Sequence, residues 1–160
     1  MITNRNNKSF TILEVILAIF ILTVAVFASF SLIQQTVVGV SLNQSKLIAY
    51  YLAQEGVEIV RNIRDTNWLH QGEGWTTGLA VGDGDQEADY QSTTLESYLG
   101  RYLKIDTNGF YSYNTSGIET KFKRKILVTE ACLEVKVIVE WSERGREHSV
   151  EVINHLYNWK

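Results

Sequence analysis

The chain has 160 residues, 45% of them hydrophobic, and a formal net charge of −3. A single cysteine, Cys132, excludes an internal disulfide, and the absence of proline lets long helices run unbroken. Mild acidity argues against a protein that holds polyanions by charge alone, but the charge is uneven: residues 1–9 carry Arg5 and Lys8 and no acid, whereas residues 46–160 hold 13 basic and 17 acidic side chains.

Residues 1–9 are short, polar and basic, which suits a cytoplasmic leader or the n-region of a secretory signal. The apolar run that follows, Phe10 to Ile33, holds 24 residues with one charge, Glu14. As a helix it rises roughly 36 Å, enough to cross a hydrocarbon core of about 30 Å. Positive charge beside such a span stays cytoplasmic, so the rest of the chain is expected on the outer side. A carboxylate in hydrocarbon costs on the order of 2.5–3.5 kcal/mol. Either Glu14 lies close enough to the cytoplasmic end to reach the headgroups or stay protonated, or it meets a cation once the helix leaves the lipid. A conventional signal would be cut after Val26-Phe27-Ala28, before Ser29. The length of the run, the buried acid and the helical pattern continuing past that point argue against this.

The segment Ser9-Phe10-Thr11-Ile12-Leu13-Glu14-Val15 resembles the processing site of type IV prepilins. The resemblance implies cleavage between Ser9 and Phe10 by a prepilin peptidase, N-methylation of Phe10, and a Glu14 that faces the new terminal amine of a neighbouring subunit. It implies filament packing through Leu13, Val15, Ile16, Ile19, Phe20 and Leu22. Ser9 stands where the family usually has Gly, and no Gly or Pro lies between Phe10 and Val38, where many pilins have both.

From Gln34 to Asp65 the composition turns amphipathic, with Ile48, Leu52, Ile59 and Ile63 at helical spacing and Ala49, Ala53 and Gly56 beside them. A single rod of about 55 residues is expected, apolar over residues 10–38 and amphipathic over 39–65. Residues 51–65 also resemble the corresponding helix of minor pilins and type II secretion pseudopilins of the small-subunit I type. Glu58 with Arg61, and Arg61 with Asp65, have the spacing to pair. That face is read either as solvated or as a partner-docking surface.

Residues 66–100 hold many turn formers and scattered aromatics, and are expected to be a connection held down by Trp68 and Trp75 rather than by a ladder. In pilins the equivalent region lies on the filament surface. Residues 101–160 read as an antiparallel meander. Two short strands flank Asp106-Thr107-Asn108-Gly109, and longer ones follow over 121–128, 132–141 and 146–156. Period two puts Leu133, Val135, Val137, Val139 and Trp141 on one buried face, with Val150 and Val152 inward on the last strand. Together these elements give an α+β fold, a long N-terminal helix packed on an antiparallel sheet.

Other clusters carry less. Asp83-Gly84-Asp85-Gln86-Glu87-Ala88-Asp89 invites a calcium reading, but its spacing departs from an EF-hand loop and a solvated acidic turn is expected. Lys121-Phe122-Lys123-Arg124-Lys125 could track a nucleic-acid backbone, but Lys121, Lys123 and Lys125 alternate with Phe122, Arg124, Ile126 and Val128, so the lysines stand on one strand face, as on an exposed strand that resists edge pairing. His70, His148 and His155 lack metal-site spacing, and Cys132 lacks a recognisable His partner. Neither a catalytic site, a metal site nor a cofactor is expected.

By resemblance, the chain is expected to be a minor pilin or pseudopilin, not an enzyme. Its implied partners are other pilin subunits, a prepilin peptidase/N-methyltransferase, an inner-membrane assembly platform and, before assembly, membrane lipid. The resemblance places it in the inner membrane as a single-pass protein and then in a pilus or periplasmic pseudopilus. The alternative is a permanent single-pass anchor presenting an outward binding domain.

Overall fold

The computed structural model describes residues 11–70, 74–114, 116–129 and 133–158. Ser9, Phe10 and Cys132 lie outside the described residues. Two compact units form, residues 1–43 and 44–160. Among the described residues there is one helix, α1 (Ile12–Leu69), followed by eight strands: β1 (Gln86–Glu87), β2 (Glu96–Ser97), β3 (Lys104–Ile105), β4 (Tyr111–Ser112), β5 (Ile118–Glu119), β6 (Phe122–Thr129), β7 (Glu134–Glu143) and β8 (Arg146–His155). The class is α+β, as the periodicities predict.

In the second unit, α1 lays Ala49, Leu52, Ala53, Gly56, Val57, Ile59, Val60 and Ile63 on an antiparallel sheet of order β2-β1-β6-β7-β8. Small residues on the helix let the two backbones approach. A Cβ at Gly56 would stand 2.8 Å from Val137 Cγ1 and 3.2 Å from Arg124 Cδ, so only glycine fits there. The sheet's inner face is built by strict alternation: Phe122, Arg124, Ile126 and Val128 on β6, then Val135, Val137, Val139 and Trp141 on β7, are all buried. Register follows, with Phe122 opposite Trp141 and Val128 opposite Val135. Val150 is buried on β8, while Val152 is only half-buried.

The helix runs four residues past the expected end at Asp65. Trp68 takes the Arg64 guanidinium over its ring at 4.5 Å and stacks on Trp75 at 6.3 Å. The buried Asn67 amide donates to the carbonyls of Trp75 (3.3 Å) and Thr77 (2.7 Å). These contacts continue the inward stripe of Ile59 and Ile63 by one more turn. Trp68 and Trp75 do hold the connection down, but a ladder helps as well: β1 pairs with β2, and Gln86 lies opposite Ile126 of β6.

A second sheet, β4-β3-β5, closes around the predicted hairpin turn. The Asp106 carboxylate accepts the backbone N–H groups of Asn108 (2.8 Å) and Phe110 (2.9 Å), while Gly109 takes φ +87°. Those donors, Phe110 foremost, hold the Asp106 carboxyl below its ordinary pKa.

Candidate functional site

The first turn of α1 shows why the helix starts where it does. The Thr11 carbonyl accepts the N–H groups of Glu14 (3.1 Å) and Val15 (3.2 Å), and Thr11 Oγ1 also accepts from the Glu14 N–H at 3.3 Å. Thr11 is therefore the N-cap, a position worth about 1 kcal/mol. Glu14 stands three residues on, where a carboxylate is stabilised by the positive end of the helix dipole, by about 0.3–1 kcal/mol at an exposed site. The Thr-x-x-Glu spacing carries this signal in the sequence, and a reading centred on charge in lipid passes over it.

Beyond that turn every side chain from Ile12 to Val38 is exposed. The residues expected to pack in a filament, Leu13 (78%), Val15, Ile16, Ile19, Phe20 (63%) and Leu22, all belong to this surface. Three of the segment's hydroxyls bond within the helix: Thr23 donates to the Phe20 carbonyl (2.8 Å), Ser29 to Ala25 (2.9 Å) and Thr36 to Leu32 (2.9 Å). Back-bonding of this kind removes the need for outside partners. What remains, as far as Ile33, is an apolar surface all round the helix with one formal charge at its start, long and apolar enough to cross a membrane; the exposed Gln34 and Gln35 end it.

No family model, no curated protein and no solved structure matches the chain. A helix apolar on every side is stable only in lipid or among other apolar helices, and this one joins a unit that has a core of its own.

The remaining clusters are pulled apart by the fold. The acidic run is not a solvated turn throughout: Gln86, Glu87 and Ala88 are buried, because β1 enters the sheet. The Glu87 carboxylate accepts from Arg101 Nε (2.8 Å), pairs with Arg101 Nη2, and accepts the Leu99 N–H at 3.2 Å. Among the described residues no three His, Cys, Asp or Glu side chains are placed to hold a metal ion.

In the basic strip, Arg124 turns inward while its neighbours turn out. Lys121 pairs with Glu143 at 2.8 Å and Lys125 with Glu140 at 3.0 Å, and Lys123 lies over the Tyr102 ring at 4.5 Å. The Glu140 hydrogen bond raises the Lys125 pKa. On α1, Arg61 pairs with Glu58 at 2.6 Å as expected, but Asp65 takes Arg64 (2.8 Å) in place of Arg61. The histidines are not brought together: His70 Nδ1 meets the Thr66 carbonyl, His148 stacks on Trp141, and His155 lies 4.0 Å from Glu134.

Proposed function

We propose that the chain is a structural subunit of the type IV pilin-like class, a minor pilin or a pseudopilin of a type II secretion filament. One observation carries this reading: a helix exposed from Ile12 to Val38, apolar as far as Ile33 apart from a few Ser and Thr, whose lone carboxylate sits in its first turn. The protein inserts with residues 1–9 inside the cell and its second unit outside. A prepilin peptidase then cuts between Ser9 and Phe10, and the new amine is methylated. An assembly platform draws the apolar helix from lipid into a filament core. There Leu13, Val15, Ile16, Ile19, Phe20 and Leu22 bury against neighbouring helices. Glu14 meets the Phe10 amine of an adjacent copy, which sets axial register by pairing two otherwise unpaired charges. The protein is a substrate of the peptidase and carries out no catalysis itself.

The N-cap geometry supports a second reading, a permanent single-pass anchor. In it Glu14 needs no second subunit, because Thr11 and the helix dipole already favour a carboxylate there. The intact mass of the protein from its native membrane separates the two. A chain starting at methylated Phe10 supports the filament subunit; a chain that keeps residues 1–9 supports the anchor.

A further inference from the structure

We propose that the tip of the β7–β8 hairpin is a membrane-surface contact, in which Arg144, Arg146 and Lys46 bind the phosphates of anionic phospholipids. The position of the tip comes first. Gly56 of α1 lies against Val137, while Ser45, further toward the start of the unit, donates to Glu143 Oε2 at 2.6 Å. Lys121 Nζ donates to both partners, at 2.7 Å to Ser45 and 2.8 Å to Glu143. β7 thus runs toward the end of the unit at which the chain arrives from its apolar segment. Its turn, Arg144-Gly145, is the next thing beyond Glu143.

Charge comes second. Arg144, Arg146 and Lys46 are exposed, and among the described residues no ion pair or hydrogen bond of their side chains is found. Lys121 and Glu143 cancel each other, which leaves Glu147 as the opposing acid on the turn and its flanks. This end is therefore net positive on a body that is net negative, a polarity that turns it toward an anionic surface.

Third, the turn is not built for its own stability. Glu143 opposite Arg146 closes a two-residue loop, and both loop residues have positive φ, +55° at Arg144 and +74° at Gly145. Such a type I′ turn favours Asn, Asp or Gly at its first position. An arginine held in a left-handed conformation there points to a use for the guanidinium outside the fold.

Reach is adequate. Twelve positions along the chain separate Ile33 from Ser45, so connectivity alone tethers this end of the unit to the span. This inference rests on the membrane span alone and not on filament assembly.

The test places the full chain in nanodiscs of phosphatidylcholine with about 30% phosphatidylglycerol and a headgroup spin-labelled lipid. It compares paramagnetic broadening of two glycine amides, Gly145 and Gly82. Gly82 bonds the Val128 carbonyl at the other end of β6 and serves as the distant reference. The expected result is broadening of Gly145 at least roughly threefold above that of Gly82, lost in pure phosphatidylcholine and in about 0.5 M NaCl. The double variant Arg144→Asn, Arg146→Gln should lose it too while its thermal melt stays unchanged, since Asn suits the turn. Equal broadening of the two glycines, or a Gly145 effect that survives in neutral discs or in the variant, overturns the proposal. A mature chain found uncut at Phe10 would remove the filament reading and leave this result standing.

Discussion

Arg124, wholly buried on β6, donates Nη1 to the Leu52 carbonyl of α1 at 3.0 Å. Its Nη2 donates to the Ala88 carbonyl at 2.7 Å, and Glu55 Oε2 lies 3.3 Å from Nη1. One guanidinium thus joins helix, sheet and the loop after β1. Arg124→Ala should cost about 3 kcal/mol or more, since it opens a cavity and leaves the Ala88 carbonyl without its donor. Arg124→Met fills much of the space without the charge and should cost less, about 1–2 kcal/mol. Urea unfolding of the full chain in detergent, followed by tryptophan fluorescence, measures both. Equal losses would show that the guanidinium's bonds, and not the space it fills, set the cost at this position.

Gly56 makes the opposite case, a residue kept for what it lacks. In an exposed helix, Gly→Ala gains about 1 kcal/mol, but here the new methyl would meet Val137 Cγ1 at 2.8 Å. The clash should win, and Gly56→Ala should destabilise by about 1–3 kcal/mol. Adding Val137→Ala should recover part of that loss. A stabilised single variant in the same urea assay would mean that the helix can slide away from β7.

The alternation of β6 and β7 was readable residue by residue, because a strand buried on one face repeats every two positions. It placed Arg124 on the same side as Phe122 and Ile126. What made an arginine tolerable there was not readable, since its acceptors come from Leu52 and Ala88, 72 and 36 residues away. β1 and β2 span two residues each, too short for any period, so the burial of Glu87 depended on Arg101 arriving from a later segment. The apolar segment was legible from its composition, and none of the described residues buries it, whereas the Thr11–Glu14 cap, present as a spacing, went unread beside the question of charge in lipid.

Asp106 should make the β3–β4 hairpin acid-sensitive. Its folded pKa is lowered by backbone donors, so its contribution is fully present above the unfolded pKa, about 4, and is lost as pH falls through the folded value. Asp106→Asn should lower the urea midpoint at pH 7, and the gap from the parent should close below about pH 4. A gap that is the same at pH 3 and pH 7 would remove the charge from the explanation.

Glu14 has two candidate jobs, and paired substitutions divide them. If its main role is to complete the Thr11 cap, then Thr11→Val and Glu14→Ala should act alike, each fraying the first turn by about 0.5–2 kcal/mol. If its main role is to meet the Phe10 amine of a neighbour, the two must diverge. Glu14→Ala should insert, be cut, and fail to enter filaments, because an unpaired ammonium is left among apolar helices. Thr11→Val, which keeps the carboxylate, should assemble. Glu14→Gln tightens the comparison, since it retains a polar side chain of the same length without the charge and should fail as the alanine variant does. Membrane fractionation scores insertion, intact mass scores cleavage, and sheared-filament recovery scores assembly. Normal recovery of Glu14→Gln in filaments would assign the carboxylate to the helix end and leave the amine to another acceptor.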